Sequence, residues 1–484
     1  RWFSGKARTV AETQVQAAIP LDYTGGRAFL TLLRVAYADG GAETYVLPLA
    51  HAEAGSLAQT ALPEHALVAH VGGGTLFDPI YAPDFCAALL DLIAHQKHVA
   101  AGDGMLIAST TSAFPELRGP LDQPLAPKVS TAEQSNSSII FGDRLIMKLF
   151  RRLEPGLNPD LEIGAFLTEA GNFANIPPVA GALEYDAGTR MTLALLQGFV
   201  PNRGDAWYYT LDTIAATFTG LLAEPNATPP GGAAALLDDS ARDLPDAAAR
   251  LLGNYADSAA LLGRRTGEMH LALASGSAPN FAPEPFTPAF QAAVLRSMES
   301  RAQQSFDLLR SSVANLPAAL QADAQRVLEH EGDVVARLRA ALDQPIDAQR
   351  TRIHGDYHLG QVLYTGSDFF IIDFEGEPAR PLDQRREKGA ALQDVAGMLR
   401  SLHYAPYAVL FGQAPGVAFD EGQRAALEPW ARAWHRWAGA AFLRSYLATV
   451  GDAPFLPRTR VALHTLLEAY LLDKAVYELR YELN

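Results

Sequence analysis

Along the first 112 residues, apolar positions come in short runs separated by glycine-rich turns. Ala28–Tyr37 and Glu43–Leu49 flank Ala38-Asp39-Gly40-Gly41, and this pattern predicts a β-hairpin with its turn. From Asp84 to Val99 the spacing changes: Phe85, Ala88, Leu89, Leu92 and Ile93 recur at helical intervals. Residues 1–112 therefore predict a small α+β unit.

The stretch Ala113–Lys128 carries Pro115, Pro120, Pro124 and Pro127, a density that predicts neither a helix nor a central strand and so marks a boundary. Beyond it, Ser138–Phe141 and Leu145–Phe150 surround Gly142-Asp143, a hairpin signal. Asn158 followed by Pro159 predicts a helix start, with Asn158 as the N-cap and Pro159 at the first helical position. Met191–Val200 reads as an apolar strand. Past residue 203 the pattern is mostly helical and rich in Ala and Leu, broken by connectors near Pro225–Gly232 and Pro279–Pro288. The predicted organisation is thus α+β in three parts: residues 1–112, a second β-rich lobe over 113–202, and a helical lobe over 203–484.

Composition narrows the function classes. Of 484 residues, 39 are Lys or Arg and 54 Asp or Glu, a formal net charge of −15. Hydrophobic residues at 49% and charged residues at 19% describe a packed globular chain rather than a disordered one. The acidic balance argues against a nucleic acid or an anionic membrane as partner. A single cysteine, Cys86, excludes an internal disulfide and a Cys-rich zinc site, which favours a reducing, cytoplasmic location. No apolar run reaches the roughly 18 residues needed to span a bilayer; Trp437–Val450 comes nearest and is interrupted by Arg444. No apolar signal-peptide core follows Arg1-Trp2-Phe3, and the missing initiating Met suggests a chain trimmed or cut from a longer polypeptide. The histidines His51, His65, His70, His95 and His98 are scattered, with His95 and His98 expected three apart on a helix, and they do not suggest a metal.

Chemistry concentrates in Ile353–Pro378. Asp356 follows His354-Gly355, Gln361 lies five residues on, just before the strand-like Val362–Tyr364, and a second apolar run, Phe369–Ile372, ends at Asp373. Two acids and an amide at the ends of short neighbouring strands suit phosphoryl transfer from a nucleotide. That reaction needs an acid to orient a hydroxyl and accept its proton, and oxygen ligands for Mg²⁺, here Gln361 and Asp373. Taken singly, each acid reads equally well as a turn or cap residue.

Upstream, Gln134-Ser135-Asn136-Ser137-Ser138 lies between strand segments and offers backbone N–H groups and hydroxyls to phosphate oxygens, though an ordinary polar turn fits it too. Lys148 shares a strand face with Ile146 and Phe150, where an ammonium is costly unless paired. Glu162, in the first turn of the helix opened by Asn158, is the predicted partner; a strand lysine with a helix glutamate positions nucleotide phosphates in kinases. The strand ending at Gln197-Gly198, with Phe199 after it, is where an adenine edge would meet backbone, or simply a buried core strand.

These residues resemble the maltokinases, sugar kinases with an aminoglycoside-phosphotransferase-like, protein-kinase-like fold. The likeness runs from Arg1-Trp2-Phe3-Ser4-Gly5-Lys6 through Glu133-Gln134-Ser135-Asn136 and Lys148-Leu149-Phe150-Arg151. It continues through the Ile353–Arg380 block and Asp394–Ser401 to the end. It implies a bilobal kinase fold with an added N-terminal cap, and ATP- and Mg²⁺-dependent phosphorylation of maltose at its anomeric hydroxyl, giving maltose 1-phosphate for α-glucan synthesis. It also implies a chain that is free or fused behind trehalose synthase; the missing Met fits the fusion. By that resemblance Lys148 and Glu162 match the ATP-positioning pair, Asp356 the catalytic base, and Gln361 and Asp373 the metal ligands. On the C-terminal helix Lys474, Tyr477 and Tyr481, at i, i+3 and i+7, share one face. They match the maltose-contacting face, with rings for the apolar sugar surface and an ammonium for hydroxyls. His358, Arg400 and Tyr404 are further candidates for the sugar pocket. Two alternatives stand beside maltose phosphorylation: a kinase for another acceptor, such as glucosamine or an aminoglycoside, and a silent nucleotide-binding module attached to trehalose synthase.

Overall fold

The structure, a computed structural model, describes residues 3–53, 55, 62–130, 135–224, 226–233 and 235–483. Arg1 and Trp2, and Glu133 and Gln134 of the polar loop, lie outside the described residues. The chain divides into two compact units: residues 1–201 with 378–385, and residues 202–377 with 386–484.

The first unit holds two antiparallel sheets. One is built from β1 (Val10–Tyr23), β2 (Gly26–Tyr37), β3 (Ala42–Glu53), β4 (Leu67–Val71) and β5 (Gly74–Phe77) in the order β1-β2-β3-β5-β4. The expected hairpin is its β2–β3 pair, with Ala36 opposite Ala42. Helix α1 (Pro83–Ala94) follows, then β6 (His98–Ala101) and β7 (Gly104–Thr110). The helix stops short of the expected Val99. Gln96 takes a left-handed φ of 48°. Its N–H bonds the Ile93 carbonyl, and the Lys97 N–H bonds that of Leu92, the doubly bonded turn that closes many helices. His95 consequently caps the helix and His98 begins a strand, so they do not form a helical pair.

The second sheet runs β6-β7-β12-β13-β10-β9-β8, adding β8 (Pro127–Val129), β9 (Ser137–Phe141), β10 (Leu145–Leu149), β12 (Val179–Asp186) and β13 (Arg190–Gly198). The two-residue β11 (Arg152–Leu153) pairs back onto β3 of the first sheet. The proline-rich stretch does contain structure. Phe114–Arg118 forms one helical turn with Pro115 in its first positions, and Pro127 opens the edge strand β8; both are places where a proline's missing N–H costs nothing. β12 and β13 are buried almost throughout, as central strands should be. Residues from both sheets and α1, such as Leu30, Phe85, Leu106, Met147 and Leu195, share one apolar core. Arg151, 1% exposed, is bound there: its Nη2 lies 2.6 Å from Asp78 Oδ2 and its Nε donates to Ser137 Oγ at 2.9 Å. Helix α2 (Pro159–Glu169) begins as expected, Asn158 Oδ1 accepting the Asp160 N–H at 2.7 Å.

The second unit is mainly helical: α3 (Ala206–Leu221), α4 (Tyr255–Leu273), α5 (Pro288–Ser312), α6 (Ala318–Glu329), α7 (Glu331–Leu342), α8 (Ala391–Leu410), α9 (Glu421–Val450) and α10 (Arg460–Leu483). Two small two-stranded antiparallel sheets accompany them, β14 (Glu284–Pro285) with β15 (Gln349–Arg350), and the hairpin β16 (Val362–Tyr364) with β17 (Phe369–Ile371). Among the described residues no helix is long and apolar enough to cross a membrane.

Candidate active site

The first unit carries Lys148. β10 lies between β9 and β13, Lys148 pairing with Ser138 and Leu195. Leu145, Met147 and Leu149 fill the core while Lys148 faces the other way, its side chain 14% exposed. Its Nζ sits 3.4 Å from Asp160 Oδ2 and 5.3 Å from the Phe150 ring centre. Asp160 and Glu162, both in the first turn of α2, are both buried, so the acid pointed to by sequence is joined by a second. Two carboxylates at a helix N-terminus are favoured by its partial positive charge, which offsets part of their burial cost.

In the polar loop Ser135 is exposed, Asn136 half-buried and Ser137 buried at the start of β9. The Ser137 hydroxyl accepts from Arg151, tying it to the Asp78 network. At the end of β13 the Gln197 amide reaches the Pro177 carbonyl at 3.5 Å, and the Phe199 N–H donates to the Arg144 carbonyl at 2.8 Å. A base edge docking at Phe199 would therefore meet its carbonyl or ring rather than that N–H.

The second unit carries the His354–Asp373 segment, organised around Asp394 in the first turn of α8. Its carboxylate accepts the His354 N–H at 2.7 Å and the Gly355 N–H at 2.9 Å, and meets His270 Nε2 at 3.1 Å. Tyr446 Oη lies 3.0 Å from the other nitrogen of His270. Burial alone would push the Asp394 carboxyl up; the bond and charge of His270, with His354 and the Gly355 N–H, outweigh it and hold the group below the usual carboxylate range. The turn so fixed contains Gly355 at φ 85°, a conformation open to glycine. His354 Nε2 lies 2.9 Å from the Ile372 carbonyl, which can only accept. The ring hydrogen is therefore on Nε2, and Nδ1 is left to accept the Asp356 N–H at 3.4 Å. One imidazole thus ties the Asp356 loop to the strand that ends before Asp373.

Asp356 is half-buried. Lys474 Nζ of α10 approaches its Oδ1 at 3.4 Å, and His358 Nε2 lies 4.0 Å from its Oδ2. His358 Nδ1 faces the Gly360 N–H at 3.1 Å and so accepts from it; burial, then the Lys474 charge, lower its pKa against the opposing pull of Asp356. The Leu359 N–H donates to Ser401 Oγ of α8 at 3.1 Å. The Ile372 N–H bonds the Gln361 carbonyl at 3.0 Å, drawing Gln361 and Asp373 to adjacent ends of the β16–β17 hairpin. Asp373 itself adopts φ 66°. Carboxylate and amide oxygens are the donors a hard divalent cation takes, so the residues present suit Mg²⁺.

On α10 the Lys474 ammonium lies 4.7 Å from the centre of the Tyr477 ring. Burial, then the charges of Glu377 and Asp356, raise the Tyr477 hydroxyl above its ordinary pKa. Arg301 of α5 donates to Asp473 at 2.9 Å and lies 3.8 Å from Glu377. The structure therefore brings together Asp356, His358, Lys474 and Tyr477. Tyr481, one turn on, is 73% exposed. Arg400 is tied to Glu478 of α10 at 2.6 and 3.0 Å. Tyr404 bonds Glu482, and that bond, with burial, pushes its hydroxyl up to about 12.

The first unit thus presents a lysine paired with a helix acid, and the second a His-Gly-Asp turn followed by Gln and Asp. The profile of the phosphotransferase enzyme family matches residues 131–376, just over half of the chain. The chain belongs to that family. The maltokinase N-terminal cap domain matches residues 1–81. Among characterised relatives, the glucosamine kinase of Streptacidiphilus jiangxiensis is 29% identical over 327 residues, covering 66% of this chain and 61% of that protein. The glucosamine kinase of Mycolicibacterium smegmatis (strain ATCC 700084 / mc(2)155) is 26% identical over 301 residues, covering 61% and 63%. The matched stretch thus spans about three fifths of each relative. A solved glucosamine kinase in complex with glucosamine, ADP and inorganic phosphate shares the fold at a TM-score of 0.61 and 22% identity, over 99% of this chain and 91% of that one. A second crystal form gives a TM-score of 0.62 at 22% identity, over 99% and 92%.

Sequence reasoning gave no site role to Asp394, His270, Arg301 or Asp160, although Asp394 opens one of the segments that carry the resemblance. Asp160 had a signal, since it stands two positions after the N-cap and two before Glu162. The others are joined to the site only by tertiary contact.

Proposed function

We propose that the protein transfers the γ-phosphoryl group of ATP to the anomeric hydroxyl of maltose. The observation that carries this reading is the Lys474 ammonium 3.4 Å from Asp356 Oδ1, with the Tyr477 ring beside it. A cation next to the base suits a neutral, hydroxyl-rich acceptor and a ring suits an apolar sugar face, whereas the ammonium of glucosamine would be repelled. The maltokinase-type cap over residues 1–81 supports the same choice. The relatives named glucosamine kinase support the second reading, an amino-sugar acceptor.

In the proposed reaction Asp356 orients the sugar hydroxyl and accepts its proton as the oxygen bonds to the γ-phosphorus, and the bond to the β-phosphate oxygen breaks to release ADP. Lys148, beside Asp160 and Glu162 of α2, binds nucleotide phosphate oxygens, with Ser135, Asn136 and Ser137 contributing loop groups and Gln197 and Phe199 facing the base. Gln361 and Asp373 would hold Mg²⁺, which offsets phosphate charge when bound. His358 and Lys474 place the sugar against Asp356; Tyr477 and Tyr481 line it, and Arg400 and Tyr404 support α10 from α8. The division proposed is cap over 1–112, nucleotide-binding segment over 113–202 and catalytic segment over 203–484.

The test is product identity. Maltose incubated with Mg·ATP should yield a phosphate ester whose anomeric proton shows phosphorus coupling and whose reducing end no longer reacts. A product phosphorylated elsewhere, or none, would reject the reading.

A further inference from the structure

The second unit contains a cavity of about 800 Å³ whose lining includes neither Asp356, Lys474 nor Tyr477. Three arginines line it, Arg337 of α7, Arg400 of α8 and Arg436 of α9, together with His403, His435 and His464. Glu468 is its single acidic lining residue. Of these arginines, Arg400 and Arg436 are each paired with a carboxylate, of Glu478 and Asp239, so the cationic character of the lining rests on Arg337. Its volume falls within the roughly 300–1,000 Å³ of small-molecule sites.

The cations are held in different ways. Arg400 is fixed by Glu478 and donates an Nη1–H hydrogen bond to His403 Nδ1 at 2.5 Å. Because the guanidinium cannot accept, the His403 hydrogen is on Nε2. Arg436 is fixed by Asp239 at 2.5 Å and by the Ala233 carbonyl, which use Nε and Nη2. Arg337 is exposed and makes no hydrogen bond or ion pair to the described residues. The His403 and His435 rings lie 4.1 Å apart. Burial and nearby cations lower His403 to about 4 and His435 to about 3. They are neutral near pH 7 and offer N–H donors without a buried charge. Leu236, Leu399 and Leu472 supply an apolar wall.

We propose that this cavity is a second ligand site, taking the phosphate monoester of a sugar. Arg337 and the imidazole donors receive the phosphate, and the leucine wall receives the apolar face of the sugar ring. A carboxylate peptide or a polynucleotide fits less well, since the walls come from five helices, α7 to α10 and Leu236–Ser240, around a small volume. The inference does not depend on which sugar is the acceptor.

The experiment titrates the full chain, with Mg·ADP saturating, using glucose 1-phosphate and, separately, inorganic phosphate, followed by calorimetry. The expected result is binding of glucose 1-phosphate at least tenfold tighter than inorganic phosphate. R337A and H464A should each weaken it tenfold or more, while R337K retains most of it. Turnover in the absence of glucose 1-phosphate should be unchanged in these variants. Unaltered affinity in both R337A and H464A, or no binding to the wild-type chain, would overturn the site. Equal affinity for inorganic phosphate would overturn its assignment to a sugar ester.

Discussion

At Asp373 the proposed chemistry can be tested on a single residue. A φ of 66° is uncommon outside glycine, and asparagine and aspartate bear it best because their short polar side chains bond locally. D373N should therefore keep the backbone and the melting temperature while removing the charge. Activity should fall by two orders of magnitude or more, and half-maximal Mg²⁺ should move to higher concentration. An unchanged Mg²⁺ dependence would remove Asp373 from the ligand set. At Asp356 the expected outcome is sharper: D356N binds Mg·ATP with near wild-type affinity in calorimetry but loses turnover by several orders of magnitude. The spacing of Asp356, Gln361 and Asp373 was legible because it lies within one short stretch of chain. Asp394 was not, since it reaches the His354 turn across 40 positions and its neighbours in sequence give it only the look of a helix-start acid.

Between elements, α8 is the support of the site. Asp394, Gly397 and Ser401 are spaced for one helix face and meet the His354–Leu359 segment in turn. Gly397 lets the helix approach closely: a Cβ there would stand 2.6 Å from the Tyr357 carbonyl oxygen, a backbone atom that cannot swing aside. G397A should lower the melting temperature by several degrees and turnover at least tenfold, read by thermal scans and steady-state rates; retention of both would show that the loop moves freely. Several elements were legible from periodicity, including the β2–β3 and β9–β10 hairpins and the start of α2. The end of α1 was not, because Gln96 does the turning usually done by glycine and carries no sequence mark of it. The proline-rich segment misled in the opposite sense. Proline density excluded only helix interiors and central strands, and left room for a first helical turn and an edge.

For the whole molecule, titration of buried groups links the fold to pH. His403 and His435 have folded pKa values of about 4 and about 3, below the ordinary 6.5. The unfolded chain binds their protons first, so stability is present above pH 6.5 and falls as pH drops through the window down to about 3. Urea unfolding at stepped pH should show that slope, and H403Q with H435Q should flatten it; an unaltered slope would mean these rings are hydrated. Composition was a sound guide to scale here and a poor one to ligand, because a net −15 coexists with Lys148 and with the arginine-lined cavity. The shared core of the two sheets was also out of reach of local patterns, since Leu30 and Met147 meet only after folding.

The central claim is phosphoryl transfer to a neutral disaccharide held beside Asp356 by Lys474. Its most direct test is ADP release with Mg·ATP over a panel of maltose, glucose, trehalose and glucosamine. Maltose should give a kcat/KM at least a hundredfold above every other acceptor, with the advantage reduced in K474M. A preference for glucosamine, retained in K474M, would contradict the account.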